Sequence, residues 1–419
     1  MSAKPAILGG DPEIQISDAD FAQTQRWPNL GETELGAVAR IFRDGNISTH
    51  PVIRELESAY SSFAERTHAL AHNNGTSALM AAYWALDLQP GDKVLVPSAT
   101  FWASVVPMLW LGLVPVFCET DGVTLGLDLE DARKRLCERT RAMVLVPLWG
   151  VPCDYDAQLA FAAEHDLMVI EDASHAHGAA WKGKPCGSFG NVSVFSLQGD
   201  KLAPAGEGGI FLTNDSKLWE RAQLLGDITR IWELPNQDRR FAATSFGIKT
   251  RIAPVSAAIG IEQLRKLPNT NAVRRSNLAP IAKALKRYGF ETWSDTIDRK
   301  RVYFEFLVRH LGGPLDVEGW RLALLAEGCQ VGQPRYPLLH QQPLFTEGVF
   351  NQILRSSPDA PSIQYSQQDL PRTQALNACM LKLPHFPNEA SDLAEAYTRA
   401  IDKVGANQEK IALWRKAQS

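Results

Sequence analysis

Cysteine is scarce in this sequence and is not arranged for a structural role. Six cysteines occur in 419 residues, and no two of them have C-x-x-C spacing. This excludes the usual sequence patterns of a disulfide framework and of a structural zinc site. The segment 1–16 also lacks the apolar stretch of a secretory signal, because it contains charges and glycines. We therefore expect a protein of the reducing cytoplasm.

Runs of basic residues are also absent. The chain has 43 Lys and Arg against 47 Asp and Glu, which gives a net charge of −4. Without a basic stretch to contact a phosphate backbone, we do not expect nucleic acid as a partner. Hydrophobic residues make up 45% and charged residues 21% of the chain, the composition of a folded globular protein of about two or three domains.

One long segment, 94–118, contains no charge and is long enough for a membrane-spanning helix. Pro97, Pro107 and Pro115 interrupt it, so a single straight helix would lose several backbone hydrogen bonds. We interpret the segment as a buried strand, a turn, a buried helix and another strand, and we expect no membrane association.

Short apolar runs alternate with helix-like stretches over much of the chain. The runs that predict strands are 93–97, 114–118, 142–147, 167–170 and 192–195, and the predicted helices between them are 76–86, 127–139 and 156–164. Near-continuous apolar strands are typical of parallel sheets covered on both faces. The sequence therefore predicts an α/β fold with a mostly parallel sheet and helices on both faces.

A change of pattern near residue 265 predicts a domain boundary. Residues 1–265 would form a large α/β domain that includes the N-terminal segment, and residues 266–419 a small C-terminal α+β domain. The second region begins with a basic helical stretch at 269–287, which we expect to kink at Pro280.

The first candidate site opens the predicted helix at 76–86. Gly75 permits close approach of a ligand, and the free N–H groups of a helix N-terminus favour an anion. Thr76 and Ser77 follow it directly. An ordinary Thr or Ser helix cap is the alternative interpretation.

The second candidate follows the predicted strand at 167–170, where Glu171, Asp172, His175 and His177 lie close together in sequence. Ligands of open α/β sheets bind at the carboxyl ends of the strands, so this position favours function. A metal site is conceivable, but the spacing matches no recognised ligand motif. Capping of the next turn by Asp172 is the structural alternative.

The third candidate is Lys201, which follows the apolar run 192–195 and precedes a glycine cluster at 206–209. A desolvated lysine in this position would be a nucleophilic amine. A lone lysine is more often a solvated surface charge, so the decision depends on the other motifs.

Together these segments resemble the DegT/DnrJ/EryC1/StrS aminotransferases in order and spacing. The matching stretches are 74–78, 97–101, 171–179, 195–201, 206–209, 247–251, 257–264 and 336–345. The resemblance extends from about Trp27 to about Val404. It implies a fold type I enzyme that depends on pyridoxal 5′-phosphate (PLP).

The resemblance also implies roles for individual residues. Lys201 falls at the lysine that forms a Schiff base with the cofactor and moves the proton during transfer. Asp172 falls at the carboxylate that pairs with the pyridine nitrogen. Phe101 falls at the aromatic residue that stacks on the cofactor ring, although Trp102 takes this role if the alignment shifts by one residue.

Further positions concern the phosphate and the phenolic oxygen of the cofactor. The resemblance assigns the phosphate to Gly75, Thr76, Ser77 and Ser196. His175 occupies the place where the family commonly has glutamine near the phenolic oxygen, which leaves its donor or acceptor role open.

One departure from the family pattern concerns the partner subunit, and two aligned residues concern the acceptor. Lys249 stands where many members have an asparagine that reaches the phosphate from the partner subunit, and a solvent-exposed lysine is the alternative. If Lys249 acts in this way, the protein is a homodimer with shared active sites. Tyr336 and His340 align with residues near the acceptor substrate.

The retained lysine also separates two reactions, because dehydratase-like members of the family have histidine in place of Lys201. The resemblance therefore implies amino transfer from L-glutamine or L-glutamate to a ketone on a polyhydroxylated ring. Gln198 replaces the histidine usual in sugar-nucleotide aminotransferases, which favours a cyclitol or related carbocycle of secondary metabolism, such as antibiotic biosynthesis. Arg239 and Arg240 could contact a diphosphate, so a nucleotide-linked keto-sugar is the alternative. A PLP-binding regulatory protein without turnover is a third hypothesis.

Overall fold

The computed structural model describes residues 4–246, 248–352 and 364–418. Its strands are β1 (His68–His72), β2 (Lys93–Pro97), β3 (Val114–Cys118), β4 (Thr140–Leu145), β5 (Met168–Asp172), β6 (Ala180–Trp181), β7 (Lys184–Pro185), β8 (Val192–Ser196), β9 (Gly209–Thr213), β10 (Phe290–Glu291), β11 (Arg299–Lys300), β12 (Phe306–His310) and β13 (Met380–Leu383).

Helices cover both faces of the large sheet and build most of the second region. They are α1 (Asp18–Thr24), α2 (Glu32–Asp44), α3 (Val52–Phe63), α4 (Gly75–Ala85), α5 (Val106–Leu109), α6 (Leu129–Arg135), α7 (Tyr155–Glu164), α8 (Ser216–Gly226), α9 (Ile228–Ile231), α10 (Pro254–Arg287), α11 (Val317–Ala326), α12 (Pro343–Thr346), α13 (Pro371–Ala378), α14 (Ser391–Gly405) and α15 (Gln408–Lys416).

Seven strands form the main sheet, in the order β1-β9-β8-β5-β4-β2-β3. Strands β8, β5, β4, β2 and β3 run parallel, and β9 runs antiparallel to both of its neighbours. Strand β3 is buried along its whole length because helices cover both faces, which explains its continuous apolar sequence. The predicted α/β fold with a mostly parallel sheet is confirmed.

The uncharged segment 94–118 does not form one long helix. It contains most of β2, a short helical turn, α5 and β3. Among the residues that the structure describes, no helix combines the length and the apolar character needed to cross a bilayer.

Helix α10 is longer than the basic helical stretch predicted at 269–287. It begins at Pro254 and continues through Pro268 and Pro280 without a break in the assignment. Its packing against α2, α3 and α14 stabilises helix over both prolines. The predicted domain boundary at 265/266 falls inside this helix and stays a prediction.

Buried apolar side chains form two large clusters. The first surrounds the seven-stranded sheet. The second lies between the C-terminal half of α10, the small sheet β10-β12-β13 and helices α11 and α14. A cavity opens at the carboxyl ends of the parallel strands.

Candidate active site

A cavity of about 560 Å³ lies at the carboxyl ends of β5 and β8. The structure brings eight of the predicted site residues together in its wall: Gly75, Thr76, Phe101, Asp172, His175, Ser196, Lys201 and Tyr336. They come from five separate stretches of sequence, so the fold assembles the site from distant segments. This is the position at which open α/β sheets bind their ligands.

Asp172 ends β5 and is held in place by hydroxyl groups. The Ser104 hydroxyl donates to Oδ2 at 2.6 Å, and the Ser174 hydroxyl donates to Oδ1 at 2.5 Å. The Ser174 N–H also donates to Oδ1 at 3.2 Å, so Asp172 caps the following turn as well as facing the cavity. A carboxylate only accepts hydrogen bonds, and these three donors suit it.

Lys201 is buried in the cavity wall. Its Nζ lies 4.4 Å from the centroid of the Phe304 ring. Burial lowers the pKa of Lys201 to about 8, although Asp172 acts in the opposite direction. More of the amine is therefore neutral and nucleophilic at physiological pH than for an exposed lysine. The backbone is fixed too, because the Trp27 indole N–H donates to the Lys201 carbonyl at 3.0 Å.

The N-terminus of α4 faces the same cavity. Asn74 caps the helix, because its side chain accepts the Ser77 N–H at 2.7 Å. The cap is therefore Asn74 and not Thr76 or Ser77. A Cβ on Gly75 would lie 2.7 Å from Cβ of Ser196, so only glycine permits this approach of helix and strand. Thr76 and Ser196 line the cavity beside this terminus, which favours an anion. Ser77 is outside the lining.

His175 lies among aromatic rings at the cavity wall. Its ring stacks on Phe304, with centroids 4.1 Å apart, and on Trp149 at 5.7 Å. The backbone N–H of Trp149 donates to His175 Nδ1 at 3.4 Å, and His175 Nε2 lies 3.4 Å from the Tyr336 hydroxyl. Burial holds the pKa of His175 well below its usual value, so the ring is neutral. Nε2 then carries the proton and can donate into the cavity.

Two aromatic residues compete for the stacking role. Phe101 and Trp102 both line the cavity, with ring centroids 5.0 Å apart. Phe101 also contacts Tyr336 at 5.4 Å, whereas the Trp102 side chain is more exposed. The predicted choice of Phe101 stays a prediction.

Besides Ser77, two predicted site residues lie outside the cavity lining. His340 is buried, and its Nδ1 lies 2.6 Å from the Ser98 hydroxyl, just after β2. Lys249 is exposed. Its neighbour Thr250 is fixed beside β1, where its hydroxyl lies 2.8 Å from His72 Nδ1. Gly247 of the same motif lies outside the described residues.

Sequence reasoning missed Arg335, which also lines the cavity. Its guanidinium contacts Glu305 Oε1 at 3.1 Å and Asp200 Oδ2 at 3.3 Å. The available signal was its place directly before Tyr336, at the edge of a recognised segment. Asp200 and Glu207, on either side of the Lys201 turn, also line the cavity and were not predicted.

The arrangement fits PLP. A buried amine of lowered pKa, a buried carboxylate and a helix N-terminus suited to phosphate open into one cavity. Among the described residues, no cluster of three or more His, Cys, Asp or Glu side chains is arranged to bind a metal ion. The fold and the site together define a PLP-dependent enzyme of fold type I.

Comparison with known proteins gives the family. The sequence model of the DegT/DnrJ/EryC1/StrS aminotransferase family matches residues 28–401, and the chain belongs to this family. It is accordingly a PLP-dependent aminotransferase, as the resemblance implied.

Several relatives are similar over most of the chain. GDP-perosamine synthase of Caulobacter vibrioides is 37% identical over 289 residues, which cover 69% of this chain and 72% of that protein. L-Glutamine:scyllo-inosose aminotransferase of Streptomyces griseus is 28% identical, and the alignment covers 96% of this chain and 99% of that protein. The crystal structure of S. venezuelae DesV is 28% identical, with a TM-score of 0.74 over 90% of this chain and 94% of that one.

Proposed function

We propose that this enzyme transfers an amino group from L-glutamine or L-glutamate to a ketone on a polyhydroxylated ring, namely a cyclitol or related carbocycle of secondary metabolism. The observation that supports amino transfer is the pairing of a buried, easily deprotonated Lys201 with the fixed carboxylate of Asp172 in one cavity. A regulator that binds PLP without turnover would also use the lysine, but it would not need the carboxylate of Asp172 to keep the pyridine nitrogen protonated.

We propose the residue roles that the family resemblance implies, and the geometry of the cavity supports them. Bound PLP would supply the electron sink for the carbanion that forms at the amino-bearing carbon. Lys201 would hold the cofactor and move the proton, and Asp172 would keep a proton on the pyridine nitrogen. The N-terminus of α4 with Thr76 and Ser196 binds the phosphate. His175 and Tyr336 face the cavity as polar groups beside the reacting centre.

The cyclitol proposal has support from the relatives. Three of them are named for inosose substrates and match 83–96% of this chain. Gln198 lines the cavity, three residues before Lys201, where substrate contacts are expected. A nucleotide-linked keto-sugar is the second candidate, because GDP-perosamine synthase has a higher identity, 37%, over a shorter part of the chain.

The first experiment is the visible absorption spectrum of the protein with PLP, before and after addition of L-glutamine or L-glutamate. We expect an absorption band that requires Lys201 and that disappears with a donor. The variant Lys201→Ala should show no such band. A band that neither donor changes would contradict the proposed donors, and no band at all would contradict the proposed function.

A panel of acceptors tests the substrate class. The donor-treated protein is mixed with scyllo-inosose, deoxygenated inososes and nucleotide-linked keto-sugars, and return of the absorption band is followed. We expect the inososes to restore it. Return of the band with the nucleotide-linked keto-sugars alone would favour a keto-sugar as the acceptor.

The homodimer is a further part of the proposal. Exposed apolar side chains that a second copy would cover occur on and after α2, after α9 and beside Lys249: Leu35, Phe42, Ile47, Trp232 and Ile248. Analytical ultracentrifugation tests the assembly. Mixing Lys201→Ala with Lys249→Ala subunits tests the sharing of sites, because hybrid dimers would contain one site with both lysines. Recovery of activity on mixing is expected, and no recovery would contradict a role for Lys249 across the interface.

A further inference from the structure

We propose that Arg335 binds the α-carboxylate of the amino donor. This inference rests on the proposed function, because it names the residue that would recognise an amino acid in the same cavity. Three features of the molecule support it: the position of the guanidinium, the weakness of its present ion pairs and the charges of the cavity wall.

The position of Arg335 places a cation near the reacting amine. The Phe304 ring lies against both groups, with Lys201 Nζ 4.4 Å and Arg335 Cζ 6.0 Å from its centroid. The charge of Arg335 also contributes to the lowered pKa values of Lys201 and His175. In an amino acid, the carboxylate is attached to the carbon that carries the reacting amine, so both groups must be recognised close together.

The ion pairs of Arg335 are suited to exchange. Its contact with Asp200 spans 3.3 Å, and the Asp200 side chain is 59% exposed, so this pair contributes little stability. Its other partner, the buried Glu305, also pairs with Lys382 at 2.8 Å. Glu305 thus keeps a cation if Arg335 turns. A donor carboxylate that accepts two parallel hydrogen bonds can replace Asp200 at small cost.

The cations of the cavity wall can be assigned to the anionic groups of the ligands. Among the described lining residues, Lys201 and Arg335 are the two cations, since His175 is neutral. Lys201 is committed to the cofactor, and the phosphate fits the N-terminus of α4. A cyclitol ketone has no charge. Arg335 is therefore the cation that is available to bind the α-carboxylate of the donor.

The test is a cycle of two enzymes and two ligands. The enzymes are wild type and Arg335→Gln, both loaded with PLP, and the ligands are L-glutamine and its α-carboxamide, which lacks the negative charge. The dependence of the absorbance change on ligand concentration gives an apparent Kd. We expect Arg335→Gln to raise the Kd of L-glutamine roughly 10- to 100-fold, as for a lost charge-assisted contact. The carboxamide should bind both enzymes equally.

Further variants separate recognition from loss of structure. Arg335→Lys keeps the charge without the planar fork and should show an intermediate Kd. Arg321→Gln is the matched control, because its guanidinium pairs with Glu318 on α11, outside the cavity lining. It should leave the Kd of L-glutamine unchanged. PLP affinity of each apoprotein, measured by fluorescence, should also stay unchanged.

Several results would overturn the inference. An equal loss for L-glutamine and the carboxamide would show that Arg335 does not read the carboxylate. A loss of PLP affinity alone would assign Arg335 to the cofactor phosphate. If wild type responds to the donors and Arg335→Gln responds at the same concentrations, only this inference fails. If wild type does not respond to either donor, the proposed function fails with it.

Discussion

The segment 171–177 has two faces that contain the same residue types and have opposite surroundings. Asp172 and His175 face the cavity, whereas Glu171 and His177 are buried in the core behind it. On the cavity side, each polar group has a partner and still borders open space. On the core side, the carboxyl group of Glu171 and the imidazole of His177 are enclosed by packed side chains. One acid–histidine run therefore has a face that borders the cavity, the cavity face, and a face that packs in the core, the core face.

The core face shows what burial does to such groups. Glu171 accepts hydrogen bonds from the Tyr155 hydroxyl at 2.6 Å and from the Phe189 N–H at 3.0 Å, yet burial still raises its pKa to about 7. Burial lowers the pKa of His177 to about 3, and neither ring nitrogen has a partner among the described residues. The comparison predicts that substitutions on the cavity face change activity and those on the core face change stability.

The largest expected effect is that of Asp172→Asn on activity. The amide keeps the size of the carboxylate but removes its charge, so the cofactor nitrogen loses its counter-ion. We expect the donor half-reaction to slow by roughly 10²- to 10³-fold, comparable to the loss of other preorganised electrostatic contacts. Stopped-flow absorbance measures it.

The control for this prediction is Asp172→Ala, which removes both charge and volume. It should lose about as much activity as the Asn variant, with a thermal unfolding midpoint close to that of wild type for both. An Asn variant with nearly full activity would mean that the shape of Asp172 matters and its charge does not.

On the core face, Glu171→Gln should remove a pH dependence of stability. The pKa of Glu171 is about 7 in the folded protein against 4.5 for an ordinary glutamate, so the folded state keeps a proton that the unfolded state loses. The stability of wild type therefore falls as the pH rises from 4.5 to 7, by about 3 kcal/mol for this residue. Glutamine does not titrate, so the stability of Glu171→Gln relative to wild type should increase as the pH rises over this range.

Urea unfolding at pH 5 and pH 8 measures the difference. The matched control is Glu409→Gln on the exposed side of α15, which should differ from wild type by the same amount at both pH values. Activity should stay close to wild type in both variants. A Glu171→Gln difference that does not change with pH would contradict the shifted pKa.

On the cavity face, His175→Ala should lower activity roughly 10-fold, because one hydrogen bond beside the reacting centre is lost. His175→Gln should retain most activity, because an amide N–H can also donate to the Tyr336 hydroxyl and glutamine is common at this position in the family. Steady-state kinetics of the three proteins would measure this. Equal loss in both variants would indicate that the stacking on Phe304 matters more than the hydrogen bond.

Much of the fold followed from the sequence because parallel strands are continuously apolar and lie between helical stretches. The strand prediction at 93–97 matches β2, and that at 114–118 matches β3. Helix α10 was predicted only in part, because its N-terminal half contains Gly260 and Pro268, which lower local helix propensity. Tertiary packing decides such cases, and a single sequence does not show it.

For the site, sequence could place residues at strand ends but could not decide which way each side chain faces. His175 and His177 are two positions apart and end in a cavity and in a core. Arg335 was missed because its place in the cavity wall is defined by contacts with residues distant in sequence, such as Phe304 and Asp200. Its significance appears only when the second region folds back onto the sheet.

The smallest expected effect is that of His177→Leu, on the core face. The imidazole lies among Tyr60, Phe63 and Phe195, with ring centroids 4.5–6.5 Å away. Leucine fills a similar volume and removes two unpaired nitrogens, so we expect a gain of about 1 kcal/mol in the free energy of unfolding at pH 7.

The stability of His177→Leu relative to wild type should also depend on pH. Below pH 6.5 the unfolded wild type takes up a proton on His177 that the folded state, with a pKa of about 3, does not bind. The stability of wild type therefore falls as the pH is lowered through this range. The stability advantage of His177→Leu over wild type should grow accordingly, and urea unfolding at pH 7 and pH 5.5 measures it. Activity should stay unchanged at pH 7. A large loss of activity in His177→Leu would mean that the core face of the segment also serves the cavity, and the division between the two faces would then be wrong.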